Sequence, residues 1–248
     1  MENDIDQLSQ DFLTEFEQIA ADCQRLCHIT RAKELQVEVL QRTNDFTKRV
    51  IELKNSAIAH ADEESANILL SFEMLVTSLA SQLKMWIALK DDDPTEAWNQ
   101  LVHVQIIARD SMLAHEMGAR LNAAKYIERL LVLEKLLFPP QMFFSIGGII
   151  EYAKCSICNE EYGTCDHIVG RPYMGQLCNR IVTQYKLNEV SIVDNPANKS
   201  CRSTAITDTQ GIMRDTMTWR EVPYENQDNL ENPDSEQVLE YFNQDDDF

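Results

Sequence analysis

The chain has 248 residues, 44% of them hydrophobic, and a formal net charge of −19. That length suits one large domain or two modest ones, and a charge of that sign excludes a protein that coats nucleic acid or an anionic membrane, since both repel an acidic surface. Seven glycines and seven prolines are too few for a turn-rich all-β fold and favour long helices.

Residues 4–28 repeat apolar side chains at Ile5, Leu8, Phe12, Phe16, Ile19, Cys23 and Leu26, in steps of three and four that share one helical stripe. Residues 31–59 repeat the pattern through Ala32, Leu35, Val39, Thr43, Phe46, Val50, Leu53 and Ala57. Residues 63–90 carry it on through Leu69, Phe72, Val76, Leu79, Leu83 and Trp86. The period is that of antiparallel bundles and coiled coils. Asp93-Pro94-Thr95-Glu96 predicts a further helix start: Asp93 caps, Pro94 suits the first turn and Glu96 reaches back. This helical region runs to about Phe138, with a bend or break near Gly118, and Pro139-Pro140 ends it.

Beyond Pro140 the character changes. Met142-Phe143-Phe144 and Ile149-Ile150 flank Gly147-Gly148 as the arms of a hairpin. Residues 180–193, rich in Ile, Val, Tyr and Thr, predict short strands, and residues 195–198 a turn. The expected fold class is α+β, mainly α. An antiparallel helical bundle spans residues 1–138, a small zinc-stabilised β-containing module residues 139–207, and an acidic flexible tail residues 208–248. No run of about eighteen apolar residues predicts a membrane span. The polar start Met1-Glu2-Asn3-Asp4 lacks the basic and apolar regions of a secretory signal, so a cytoplasmic chain is expected.

Four of the seven cysteines lie within residues 155–178, and in a reducing compartment such clusters read as metal ligands rather than disulfides. Cys155-x2-Cys158 forms a tight turn that aims two sulfurs at one centre, and Cys165-x-His167 supplies the second pair of a tetrahedron. Thiolate and imidazole donors suit Zn2+, and four protein ligands leave no open position, so a structural site is expected. Gly163 eases the turn between the pairs. Cys178 competes as the fourth ligand, and Cys201 does so more weakly. Cys23 and Cys27, four apart and in the apolar row, read as packed core cysteines.

Arg109, followed by the polar Asp110 and, several positions later, by His115, inside a helical bundle, resembles the active motif of HEPN ribonucleases. The resemblance covers residues 109–115. It implies a dimeric cleft in which His115 acts as general acid or base and Arg109 stabilises phosphate charge. Residues 189–198 (Glu189-Val190-Ser191, then a hydrophobic pair, then Pro196-Ala197-Asn198) resemble a strand-and-turn signature of tailed-phage prohead maturation proteases. That family uses a Ser and a His. Here the nearby histidine is His167, which the zinc reading claims, so an assembly role is what the resemblance implies. No Glu-x-x-His pair for a di-iron bundle and no Gly-rich phosphate loop is present.

Residues 221–248 hold ten Asp or Glu and no Lys or Arg, about half of the net charge. Within them, residues 236–242 predict a short amphipathic helix that presents Val238, Leu239, Tyr241 and Phe242 to a groove on a basic partner. These features predict a non-enzymatic zinc-binding adaptor. It would bind protein partners through bundle and tail and self-associate through the bundle, with neither membrane nor direct nucleic-acid contact.

Overall fold

A computed structural model describes residues 2–223, with side chains described from residue 10 onward. Two compact units result, Met1–Leu131 and Val132–Phe248.

The first unit is built from α1 (Glu2–Leu26), α2 (Lys33–Ala59), α3 (Glu63–Lys90), α4 (Pro94–Ala114), the short α5 (Glu116–Arg120) and the first half of α6 (Ala123–Leu137). Short connections make successive helices antiparallel, and a residue at positive φ closes three of them: Ala61, Asp92 and Asn122. The apolar rows become the core: Phe16, Ile19, Cys23 and Leu26 of α1 and Val39, Phe46 and Val50 of α2 are buried. Leu35 and Leu53, at the two ends of the α2 row, are about half exposed because the neighbouring helices do not cover them. Phe12 stacks on Phe46 at 5.3 Å and meets Phe72 edge-on at 5.1 Å, while Phe16 meets Phe72 at 5.0 Å, which ties α1, α2 and α3 together.

Helix α3 is the central element and packs against α1, α2, α4 and α5. Its buried residues run round most of its circumference and include small ones (Ala66, Ser71, Ser78, Ala80, Ser81) that let neighbours approach. By length and composition α3 could cross a bilayer; 72% of its apolar window is buried inside the protein, the signature of a core helix.

Several polar groups in this core are paired, although the buried Trp86 Nε1 has no hydrogen-bond partner. Gln36 Nε2 donates to Leu26 O (2.7 Å) and His28 O (3.2 Å), closing the end of α1. Thr43 Oγ1 lies 3.3 Å from Cys23 Sγ. Burial raises Cys23 to about 11 and holds Cys27 well above the ordinary thiol range, so both are inert packed thiols.

The expected helix start at Asp93 is present: its carboxylate accepts from Glu96 N at 2.9 Å, with Pro94 in the first turn. Asp93→Ala should lower stability by about 1 kcal/mol, read as a shifted urea midpoint with an unchanged slope.

The long helical region breaks at His115, whose backbone is extended (φ −165°) between α4 and α5. Gly118 sits just past the break because the chain folds back: a Cβ there would lie 2.4 Å from Ser111 O.

The second unit begins inside α6, not at Pro139-Pro140 as expected. Within this unit, Lys199 Nζ pairs with Glu134 Oε2 at 2.6 Å and links the last turns of α6 to the chain around residue 199. Its main feature is a two-stranded antiparallel ribbon of β1 (Phe143–Cys155) and β4 (Arg180–Val193). The expected hairpin at Gly147-Gly148 does not form. Both glycines lie within β1, because β4 supplies a partner along its whole length. The register slips between the two glycines. A Cβ on Gly148 would lie 2.3 Å from Lys186 O and 2.5 Å from Tyr185 Oη, so the bare backbone is what lets β4 pass. Gly148→Ala should cost about 1–3 kcal/mol in this unit, measured by amide exchange along the ribbon.

Two smaller hairpins follow. β2 (Pro172–Tyr173) and β3 (Gln176–Leu177) are joined through Met174 and Gly175, both at positive φ as a tight hairpin turn requires. β5 (Ala205–Thr207) pairs with β6 (Met213–Asp215). Folded structure therefore continues past residue 207, where the tail was expected to begin. Local carboxylates hold it: Asp208 accepts from Gln210 N (2.8 Å) and Ile212 N (3.0 Å) and pairs with Arg214 Nε (2.9 Å). Asp215 Oδ1 accepts from the backbone of Met217 and Thr218.

Candidate metal centre

The centre lies where β1 ends. Cys155 is its last residue, and the chain then turns tightly: Asn159 N donates to Cys155 O and Cys155 N to Glu160 O, both at 2.9 Å, with Asn159 at φ +60°. The turn aims amides at sulfur. Ile157 N donates to Cys155 Sγ at 3.4 Å, and Glu160 N donates to Cys158 Sγ. The far arm is stitched on by Ser156 N donating to Asn179 O (2.9 Å) and Asn179 N donating to Ser156 Oγ (2.8 Å). Gly163, at φ +98°, turns the chain towards the second pair, as its spacing suggested.

The donor atoms of Cys155, Cys158, Cys165 and His167 all lie within 4.8 Å of one another, so the cluster could hold a metal ion. Thiolates about 2.3 Å from one tetrahedral ion stand roughly 3.8 Å apart, which this spacing accommodates. The imidazole carries an independent mark. His167 Nδ1 is buried and has no hydrogen-bond partner, a costly arrangement that a coordinate bond removes. The ring is held by Tyr173, whose ring meets it edge-on at 4.7 Å and whose hydroxyl accepts from Ile168 N at 3.0 Å. Tyr173 was not singled out from the sequence, because only the β2–β3 hairpin returns it to the histidine.

Burial is the strongest influence on the Cys155 thiol and raises it. The amides of Cys158 and Ile157 and the thiols of Cys158 and Cys178 together outweigh burial and bring it down to about 6. Cys155 is thereby primed as a thiolate, the ligating form. Cys158 moves up: the Glu160 amide lowers it, but burial and the Cys155 and Cys165 thiols prevail. Cys178 is fully buried, with its sulfur 3.8 Å from Cys155 Sγ. Burial, then the contact with Cys155, pushes it up to about 12. Cys201 stands outside the cluster: its carbonyl accepts from Phe144 N at 2.8 Å, at the opposite end of β1.

The other candidates are placed as follows. His115 caps α5, with Nδ1 accepting from Met117 N at 3.1 Å and Nε2 3.1 Å from Glu64 Oε1, so both ring nitrogens are engaged within the bundle. Arg109 is half exposed on α4, its Nε 3.9 Å from Asp110 Oδ1. Residues 189–193 form the end of β4, where Ser191 pairs in register with Ser145, and residues 194–198 form the following turn. Val238, Leu239, Tyr241 and Phe242 lie outside the described residues. No protein-family model, characterised protein or solved structure matches the chain.

Proposed function

We propose that this chain is a non-enzymatic adaptor whose second unit is clasped by a structural Zn2+ and whose helical unit and acidic tail bind protein partners. The observation that carries the reading is the closed donor set: Cys155, Cys158, Cys165 and His167 converge, and four protein ligands leave a tetrahedral ion no position for water or substrate. Three sulfurs and one nitrogen favour zinc over the oxygen-seeking Mg2+ and Ca2+. The ten acidic residues after position 220 would steer a basic partner, and the apolar side chains at positions 238, 239, 241 and 242 would anchor it.

Three measurements test this. Elemental analysis of the purified full chain should find one zinc per chain, and an amount well below that would overturn the clasp. Affinity purification of the full chain should recover a basic partner that is lost when Val238, Leu239, Tyr241 and Phe242 are all changed to Ala. Cleavage of single-stranded RNA by the full chain but not by His115→Ala would replace this reading with the ribonuclease.

A further inference from the structure

A fifth potential donor stands beside the four that converge, against Cys155. Cys178 has no solvent exposure, and its sulfur stands 3.8 Å from Cys155 Sγ. Two thiolates about 2.3 Å from one tetrahedral ion are separated by about 3.8 Å, so this is the spacing of two ligands on a shared metal. The position is fixed by backbone. Cys178 N donates to Arg171 O and Gly170 N donates to Cys178 O, both at 2.9 Å, while Arg171 N donates to Ile168 O at 3.1 Å. Cys178 is therefore clamped to the turn of residues 168–171, which directly follows His167. The two side chains approach the cluster from one shared support, and a small shift of that turn trades one for the other.

We propose that five donors serve four places: Cys155, Cys158 and Cys165 are constant ligands, and His167 and Cys178 are alternates for the fourth. The ion is then held either by three thiolates and the imidazole or by four thiolates. In the imidazole form Cys178 is a neutral thiol donating to the Cys155 sulfur. In the all-thiolate form it loses its proton to solvent as it binds the ion, and His167 leaves the ion as a neutral imidazole beside Tyr173. The exchange alters the net charge of the loaded centre by one unit without emptying it. Losing either alternate should leave a working clasp, which a minimal four-ligand site does not allow. This inference rests on the zinc reading above.

Cobalt(II) titration of the full chain, followed by its visible bands and its near-ultraviolet sulfur-to-cobalt absorption, separates the cases. His167→Ala and Cys178→Ser should each bind one Co2+. The sulfur-to-cobalt absorption of His167→Ala should exceed that of Cys178→Ser by about a third, four thiolates against three. The double variant should lose affinity by roughly 100-fold or more. If His167→Ala binds as poorly as the double variant, Cys178 does not reach the metal and the exchange is wrong. If Cys178→Ser alone binds that poorly, the thiol is obligatory and the exchange is equally wrong. Failure of the unaltered chain to bind either Co2+ or Zn2+ would instead remove the zinc reading itself.

Discussion

On the zinc reading, a strong chelator should unfold the region around residues 150–205 and leave the helices standing. The second unit has little else to hold it: Phe138, Phe143, Ala153, Leu177 and Val182 are its buried apolar side chains apart from the cysteines, among the described residues. Among the described residues all of its sheets are two-stranded, and a two-stranded ribbon is at best marginally stable in water. Structural zinc contributes on the order of 10 kcal/mol of apparent binding free energy to such small modules, and that energy becomes folding energy. The amides of Ser156, Asn159 and Cys178, all hydrogen-bonded around the centre, should lose exchange protection together, and protease sites between residues 155 and 180 should open. The far-ultraviolet helical signal should change little, because most helical residues lie in Met1–Leu131. A metal-free chain that keeps its protease resistance in this segment would refute the clasp. Cys155→Ser should reproduce the chelated state without chelator, since Cys155 is both the buried end of β1 and the thiol that the turn amides prime.

Trp98→Ala should be the most damaging single truncation in the helical unit. Trp98 is 2% exposed and is the largest of the fully buried side chains. Removing it leaves a cavity that a close-packed bundle cannot refill, at about 3–5 kcal/mol. For a unit of this size that corresponds to a fall in melting temperature on the order of 10 °C. Leu113→Ala is the matched control on the same helix. Leu113 is 41% exposed, and its truncation should stay within about 0.5 kcal/mol. Equal melting temperatures for Trp98→Ala and the unaltered chain would contradict the packing described for α4.

The helical unit was legible because its information is local. Spacings of three and four along one stripe, Asp93-Pro94 at a helix start and the punctuation at residue 139 each act within a turn or two of chain. The ends of the rows were less so. Leu35 and Leu53 carry the same periodic signal as Val39 and Phe46, and only the lengths of the neighbouring helices leave them exposed. The break at His115 was approximately legible through Gly118, but the close approach of Gly118 to Ser111 O that the fold-back brings about sets two helices together and is not visible in the apolar pattern. Gly147-Gly148 misled for a related reason. A glycine pair between apolar runs signals a turn when the runs pair with each other, and here both pair with a strand more than thirty residues away.

The metal donors show the same division. By itself the sequence determined that Cys155, Cys158, Cys165 and His167 could converge, because two short-spaced pairs constrain their side chains through a few peptide units. It also determined the mainly helical character, the start of α4 and the concentration of acid after residue 220. Tertiary structure alone decided that β1 runs unbroken through its glycines and that folding continues through β6. It also decided that Tyr173 steadies His167 and that Cys178 arrives 3.8 Å from Cys155. The unbroken β1 and the arrival of Cys178 depend on contacts between segments far apart in the chain, where loop closure and backbone pairing, rather than neighbouring residues, set which atoms meet; the Tyr173 contact and β6 depend instead on short hairpins.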